Sequence, residues 1–477
     1  MKYQAAPAFL ALADAFADAA EPAHFRMSVL RFRNTRWDQR VGLGQLTPEA
    51  WADHFARFRP LPDNIQTPLA MRYHGHQFGV YNPELGDGRG FLFAQLRDDQ
   101  GRLLDLGTKG SGQTRWSRQG DGRLTLKGGV REVLAAQYLE AHGVKTSKPF
   151  SLIETGEELA RNDEPSPARS AVLTRLSHSH IRFGTFQRAA SIGETENLAR
   201  LIRYCCEVYY PDALDEDISV MAPALLHRIA EQTARMVAQW MATGFVHGVM
   251  NTDNFNITGE SFDYGPWRFL PESDPNFTAA YFDQQGLYRF GRQPTQGLWA
   301  LQQLAIAMSP VCDTDPLGEA LRAYEPAYQA ALAKHNLKLF GLQSSGDLHD
   351  DLVWLQALYT WMSETRAAWP QVFFDWFCGK ESEARAAKSP IASMYADAGF
   401  APVRDGMFAR TPDRPERLSH TYWEREKPVS LLYDEVEAIW ALIAEADDWS
   451  LYEQTIADID AAREALDITF EPSAQKA

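Results

Sequence analysis

Apolar positions near the start of the chain recur at helical spacing in FLALADAFADAA (residues 9–20), with Asp14 and Asp18 on a polar face. This pattern predicts an amphipathic helix, followed by a proline-rich loop, RPLPDNIQTP. From residue 71 the runs shorten. GFLFAQL (90–96) and LLDLGTK (103–109) flank the turn signal Asp98-Asp99-Gln100-Gly101 and predict a hairpin. Val130, Val133, Leu134 and Tyr138 then repeat at helical spacing within 127–143, with Gly143 placed to stop the helix. FSLIET (150–155) and AVLTRL (171–176) predict two more strands around a polar loop, GEELARNDEPSPARS.

From about 192 the helical period dominates. Leu225, Ile229, Met236 and Trp240 form one stripe that Gly244 ends, and further helices are predicted at 296–308, 316–335 and 351–379. After 380 the chain turns Arg-, Glu- and Pro-rich before a helical stretch at 429–467. The expected fold class is α+β with two lobes. Its parts are an N-terminal extension (1–70), a β-rich lobe (71–180), a helical lobe (181–380) and a C-terminal helical region (381–477).

Composition narrows the function classes. The 477 residues carry 47 basic and 63 acidic side chains, a net charge of −16. That balance argues against a general nucleic-acid binder but leaves room for a pocket with a few local cations. The four cysteines, Cys205, Cys206, Cys312 and Cys378, fit neither a zinc site nor a disulfide framework, and the adjacent pair reads as packing. No window is apolar enough to span a bilayer and the N-terminus does not read as a signal peptide, so a soluble, cytoplasmic protein is expected.

The chemistry concentrates in HGVMNTDN (His247–Asn254) and the triplet Asp263-Tyr264-Gly265. A loop ending in Asn and an Asp-x-Gly turn form the magnesium-nucleotide elements of kinase-like phosphotransferases. In the short form HGDxxxxN the third residue is the base, and here it is Val249. Asp253 is the carboxylate best placed to replace it. Asn254 and Asp263 offer hard oxygen ligands suited to Mg²⁺ or Mn²⁺. Upstream, backbone amides freed by Gly86 and Gly88 in GDGRG could approach phosphates, although such loops are often plain turns, and no P-loop pattern is met. Lys109 and Glu132 are each ordinary surface charges in isolation, but their order before Asn254 and Asp263 suits a phosphate-holding pair. Asp121 and Gly122 lie in a polar insert after Lys109, and Arg175 with Arg182 could clamp a polyphosphate. His74/His76 and His178/His180 lack further ligands and read as structural.

Taken in order, YHGHQFGV, LGDGRG, TKGSGQT with RQGDGR, VRE, HIRFGTF, HGVMNTDN and DYGP resemble the SelO (selenoprotein O, YdiU) family of protein adenylyltransferases, which are built on a pseudokinase fold. The resemblance is dense over about 65–310 and thin to about 380. It implies a reversed ATP whose AMP passes to a Ser, Thr or Tyr hydroxyl of a protein, with pyrophosphate leaving. Gly86, Gly88, Arg89, Lys109, Asp121, Gly122, Arg175 and Arg182 would bind the nucleotide, with Asp263 near its phosphates. Glu132 would pair with Lys109, Asn254 and Asp263 would hold Mg²⁺ or Mn²⁺, and Asp253 would accept the proton. Many family members carry a C-terminal Cys or selenocysteine, sometimes in a redox switch. The ending FEPSAQKA has none, so that switch is not carried over. A kinase using Asp253 as a displaced base, a UMP transferase and a non-catalytic nucleotide-binding scaffold remain the alternatives.

Overall fold

The computed structural model describes residues 2–162 and 164–468. Its centre is an eight-stranded antiparallel sheet of β1 (Ala17–Ala19), β2 (Val29–Arg33), β3 (Leu69–Met71), β4 (Leu92–Arg97), β5 (Leu103–Lys109), β6 (Leu124–Thr125), β7 (Lys148–Leu159) and β8 (Ala168–Ser177). The spatial order is β1-β3-β4-β5-β8-β7-β2, with the short β6 pairing β8. The fold is therefore mixed α/β, one large sheet accompanied by many helices.

The predicted hairpin forms as β4 and β5. Asp98 sets its turn by accepting the N–H groups of Gln100 and Arg102 at 3.0 and 2.9 Å, and Gly101 supplies a φ of +77°. Helix α1 (Leu126–Ala141) begins where Thr125 accepts the N–H of Gly128 at 3.1 Å, an N-cap. One face of the sheet packs on α1 through Leu126, Val130, Val133, Leu152 and Leu173. The opposite face is covered by Trp51 and Phe55 of helix Pro48–Phe55, against Phe93, Phe150 and Val172. Phe183–Ser191 forms α2, Ile218–Ala242 forms α3 and Gln293–Met308 forms α4, all in the helix-rich part of the chain. Cys205 and Cys206 are both fully buried in its core, as packing residues should be.

Several predicted elements differ from the observed ones. Residues 9–20 do not form one helix. They give a 3₁₀ turn (Ala8–Ala11), a single helical turn (Ala13–Phe16) and β1, because Ala17–Ala19 finds main-chain partners along Leu69–Met71 at the sheet edge. The polar loop after 155 is shorter than expected, since β7 runs to Leu159 and β8 starts at Ala168. Residues 351–379 divide into Leu348–Thr365 and Trp369–Asp375 at Arg366, whose φ is +54°. The last stretch becomes α5 (Tyr433–Ala446) and α6 (Ser450–Leu466), separated at Asp447 with φ +49°.

This C-terminal pair lies against α1. Glu437 on α5 takes Lys127 at 2.7 Å and has Arg131 at 3.6 Å. Arg463 on α6 meets the buried Glu140 at 3.1 Å and donates to the Gln137 carbonyl at 3.2 Å.

Candidate functional site

Lys109 closes β5 opposite Leu173 of β8, two residues from Arg175. Side chains two apart on a strand share a face, so the register alone brings both cations out on one side of the sheet. Glu132 on α1 reaches this face. Its Oε1 is ion-paired with the Lys109 ammonium, and Arg175 lies 3.8 Å from its Oε2. Lys109, Glu132 and Arg175 are all nearly inaccessible to solvent.

Asp263 completes the cluster from a loop, in a left-handed conformation with φ +60°. Its Oδ1 accepts from Arg175 at 2.6 Å and from Lys109 at 3.1 Å, and its Oδ2 accepts from Arg182 at 2.8 Å. Burial pushes this carboxyl up, but Lys109, Arg175 and Arg182 together outweigh it and hold Asp263 well below the usual carboxylate range. Arg182 precedes α2, its guanidinium 4.6 Å from the Tyr73 ring and 4.8 Å from that of Phe262. It also donates to the Asp253 carbonyl at 2.8 Å and lies 3.5 Å from Asp87.

Asp253 sits in a single 3₁₀ turn, Thr252–Asn254, fixed from several sides. Thr252 Oγ1 accepts the His76 N–H at 2.7 Å and donates to Gln187 at 2.6 Å. Tyr288 donates to Asn251 Oδ1 at 2.9 Å. The Asp253 side chain is buried, and its Oδ1 has no hydrogen-bond partner among the described residues. Burial lifts its pKa to about 6 against the pull of Arg182. Gly75 faces it closely, since a Cβ added there would lie 2.9 Å from Asp253 Oδ1. Asn254 donates its Nδ2 to the Val249 carbonyl at 3.0 Å, which leaves its amide oxygen available as an acceptor. Val249 is thus a backbone anchor for this turn.

The remaining sequence-derived candidates lie in two facing loops. A Cβ at Gly86 would meet the Trp116 ring at 2.4 Å, and one at Gly88 would meet the Trp116 carbonyl at 2.8 Å. Gly122, with φ +69°, has the same relation to Gly112 at 2.2 Å. These glycines are needed for close loop packing. Arg89 is exposed, and Asp121 is drawn outward to Arg161 at 2.7 Å. The structure therefore gathers Lys109, Glu132, Arg175, Arg182, Asp263 and Asp253, while Arg89 and Asp121 face solvent. Sequence reasoning passed over Asp87, Tyr73 and Phe262, which surround Arg182. Asp87 stood inside LGDGRG, but no local signal marked the aromatic pair.

Comparison with known proteins decides the family. The model described as "Protein adenylyltransferase SelO" matches residues 1–460. The chain belongs to the SelO family. It is 41% identical over 463 residues to the protein nucleotidyltransferase YdiU of Synechocystis, covering 94% of this chain and 96% of that one. The Gloeobacter violaceus protein of the same name is 42% identical over 465 residues, covering 93% and 92%. That of Synechococcus elongatus reaches 47% over 355 residues, covering 73% and 70%. The chain is accordingly a nucleotidyltransferase, and the buried charge cluster is its candidate transfer site.

Proposed function

We propose that the chain transfers AMP from ATP to a Ser, Thr or Tyr hydroxyl of an acceptor protein and releases pyrophosphate, using a kinase-like two-lobed arrangement. The observation that carries this reading is the convergence of Lys109, Arg175 and Arg182 on Asp263, beside the unpartnered carboxylate oxygen of Asp253. Three buried cations around one carboxylate form a cradle for a polyanion. Glu132 keeps Lys109 directed into it.

In this reading Asp253 accepts the proton of the acceptor hydroxyl. The freed oxygen attacks the α-phosphorus, and the bond from that phosphorus to the bridging oxygen breaks. Pyrophosphate leaves with the bond's electrons, its charge offset by the guanidinium and ammonium groups. The raised pKa of Asp253 suits a base near neutral pH.

The amide oxygen of Asn254 and the carboxylate of Asp263 fit a hard divalent cation, Mg²⁺ or Mn²⁺, bound jointly with phosphate oxygens. Among the described residues no three His, Cys, Asp or Glu side chains converge as a metal site. Such a cation would neutralise phosphate charge when bound. The acceptor is read as a protein, without a role for nucleic acid or membrane. No helix among the described residues is long and apolar enough to cross a membrane.

Product analysis tests the proposal. With Mg²⁺, ATP and protein acceptor, pyrophosphate should form in step with AMP-modified protein. ADP formed in step with phosphorylated protein would establish the kinase alternative instead.

A further inference from the structure

We propose that the exposed surface of Phe78, Val80, Tyr281 and Phe282 docks a bulky apolar side chain of the acceptor protein, close in sequence to the hydroxyl that receives AMP. This rests on the transferase reading above and specifies its acceptor.

Isolated exposed apolar residues are ordinary, but touching exposed rings mark an interaction surface. Tyr281 is 82% exposed, Val80 70%, Phe282 46% and Phe78 39%. The ring centroids of Phe78 and Phe282 are 5.8 Å apart, and those of Tyr281 and Phe282 5.2 Å.

The surface is built onto the transfer site by one hairpin, Gly75–Gln77 with Val80–Asn82. Its two-residue turn is Phe78-Gly79, with φ of +50° and +79°. Turns of this kind favour Asn or Gly first, because a side chain is disfavoured at positive φ. Phe78 holds that position because its N–H donates to Asn251 Oδ1 and to the Tyr288 hydroxyl, each at 3.2 Å. Local preference is thus overridden to present an aromatic ring beside the loop that carries Asp253. On the same hairpin, His76 N–H bonds Thr252, and Gly75 packs directly on the Asp253 oxygen, where a Cβ would come within 2.9 Å.

One hairpin therefore carries the apolar surface at its tip and packs on Asp253 at its base. Phe78 is bonded to Asn251, two residues before Asp253, so an acceptor hydroxyl that reaches Asp253 brings its neighbouring residues beside this surface. An extended acceptor segment whose hydroxyl reaches Asp253 would lay a neighbouring Leu, Ile, Phe or Trp on these rings.

The test uses the full-length chain, Mg²⁺, α-labelled ATP and synthetic peptides with one hydroxyl and a systematically varied residue on each side. The wild type should favour a bulky apolar residue at one fixed offset, by roughly tenfold in kcat/KM, as burial of one such side chain predicts. Tyr281→Ser/Phe282→Ser should erase the preference while leaving ATP affinity unchanged. Phe78→Gly, which relieves the positive φ and so keeps the turn, should do the same. A flat wild-type profile, a preference for charged neighbours, or a preference that survives both variants would overturn the proposal. So would concentration-dependent dimers abolished by Tyr281→Ser/Phe282→Ser, since a second copy would then cover the surface. A wild type that binds ATP but labels no peptide would instead remove the transferase reading beneath it.

Discussion

Arg175 Nη1 lies 2.6 Å from Asp263 Oδ1, so a sheet strand and the Asp-Tyr-Gly loop meet in one charge-assisted bond. With Lys109 and Arg182 on the same carboxylate, Asp263 balances three buried cations. Asp263→Ala should lower unfolding free energy by about 3–5 kcal/mol, the usual effect of leaving buried charge unpaired. It should also abolish nucleotidyl transfer. Urea denaturation run beside a transfer assay checks both, and a variant of wild-type stability would show that the cluster is relaxed by solvent.

Asp253 sets an expected pH dependence. Its folded pKa is raised to about 6, so below that value the base is protonated and kcat/KM should fall about tenfold per pH unit. Above pH 6 the profile should level. Stability moves the opposite way: the folded chain retains this proton between the ordinary carboxyl value and about 6, so Asp253's contribution falls as pH rises through that window. A profile flat from pH 5 to 8 would remove Asp253 as the base.

Lys109 and Glu132 should behave as one unit toward nucleotide. Lys109→Met and Glu132→Gln should each weaken ATP binding by about tenfold, and the double variant should be no weaker than the worse single one. Calorimetric titration of the four proteins measures the coupling. Strict additivity would mean that Glu132 does not act through Lys109.

Much of this site was legible in order but not in arrangement. The sequence of Lys109, Glu132, Asn254 and Asp263 marked chemistry, and the Lys109–Glu132 pair lies where that order suggested. The placing of Arg175 beside Lys109 depends on the register of β5 against β8, which pairs residues about 65 apart and leaves no local trace. Asp121 stood out in the polar insert after Lys109, but its pairing with Arg161, forty residues further on, left no local sign. The N-terminal helix failed for a similar reason. Its apolar spacing suits a helix, but the unpaired edge of β3 offers Ala17–Ala19 main-chain bonds that periodicity cannot register.

The C-terminal helices supply a stability prediction. Glu140 is buried between Arg36, at 2.5 Å, and Arg463, at 3.1 Å, and these cations overcome burial to bring its pKa to about 2. Arg463→Ala should cost about 2 kcal/mol at neutral pH. A depressed carboxyl stabilises above its unfolded value and loses that contribution as pH falls through its folded one, so the wild-type advantage should narrow toward pH 2. Denaturant midpoints at pH 7 and in acid test this, and an undiminished difference in acid would assign the effect to packing.

In this reading the transferred group is AMP. Parallel reactions with ATP labelled at the α- or the γ-phosphate, in Mg²⁺ or Mn²⁺, test it most directly. Acid-stable label should reach protein from the α-position only and disappear with Asp253→Asn, whereas label from the γ-position alone would contradict the account.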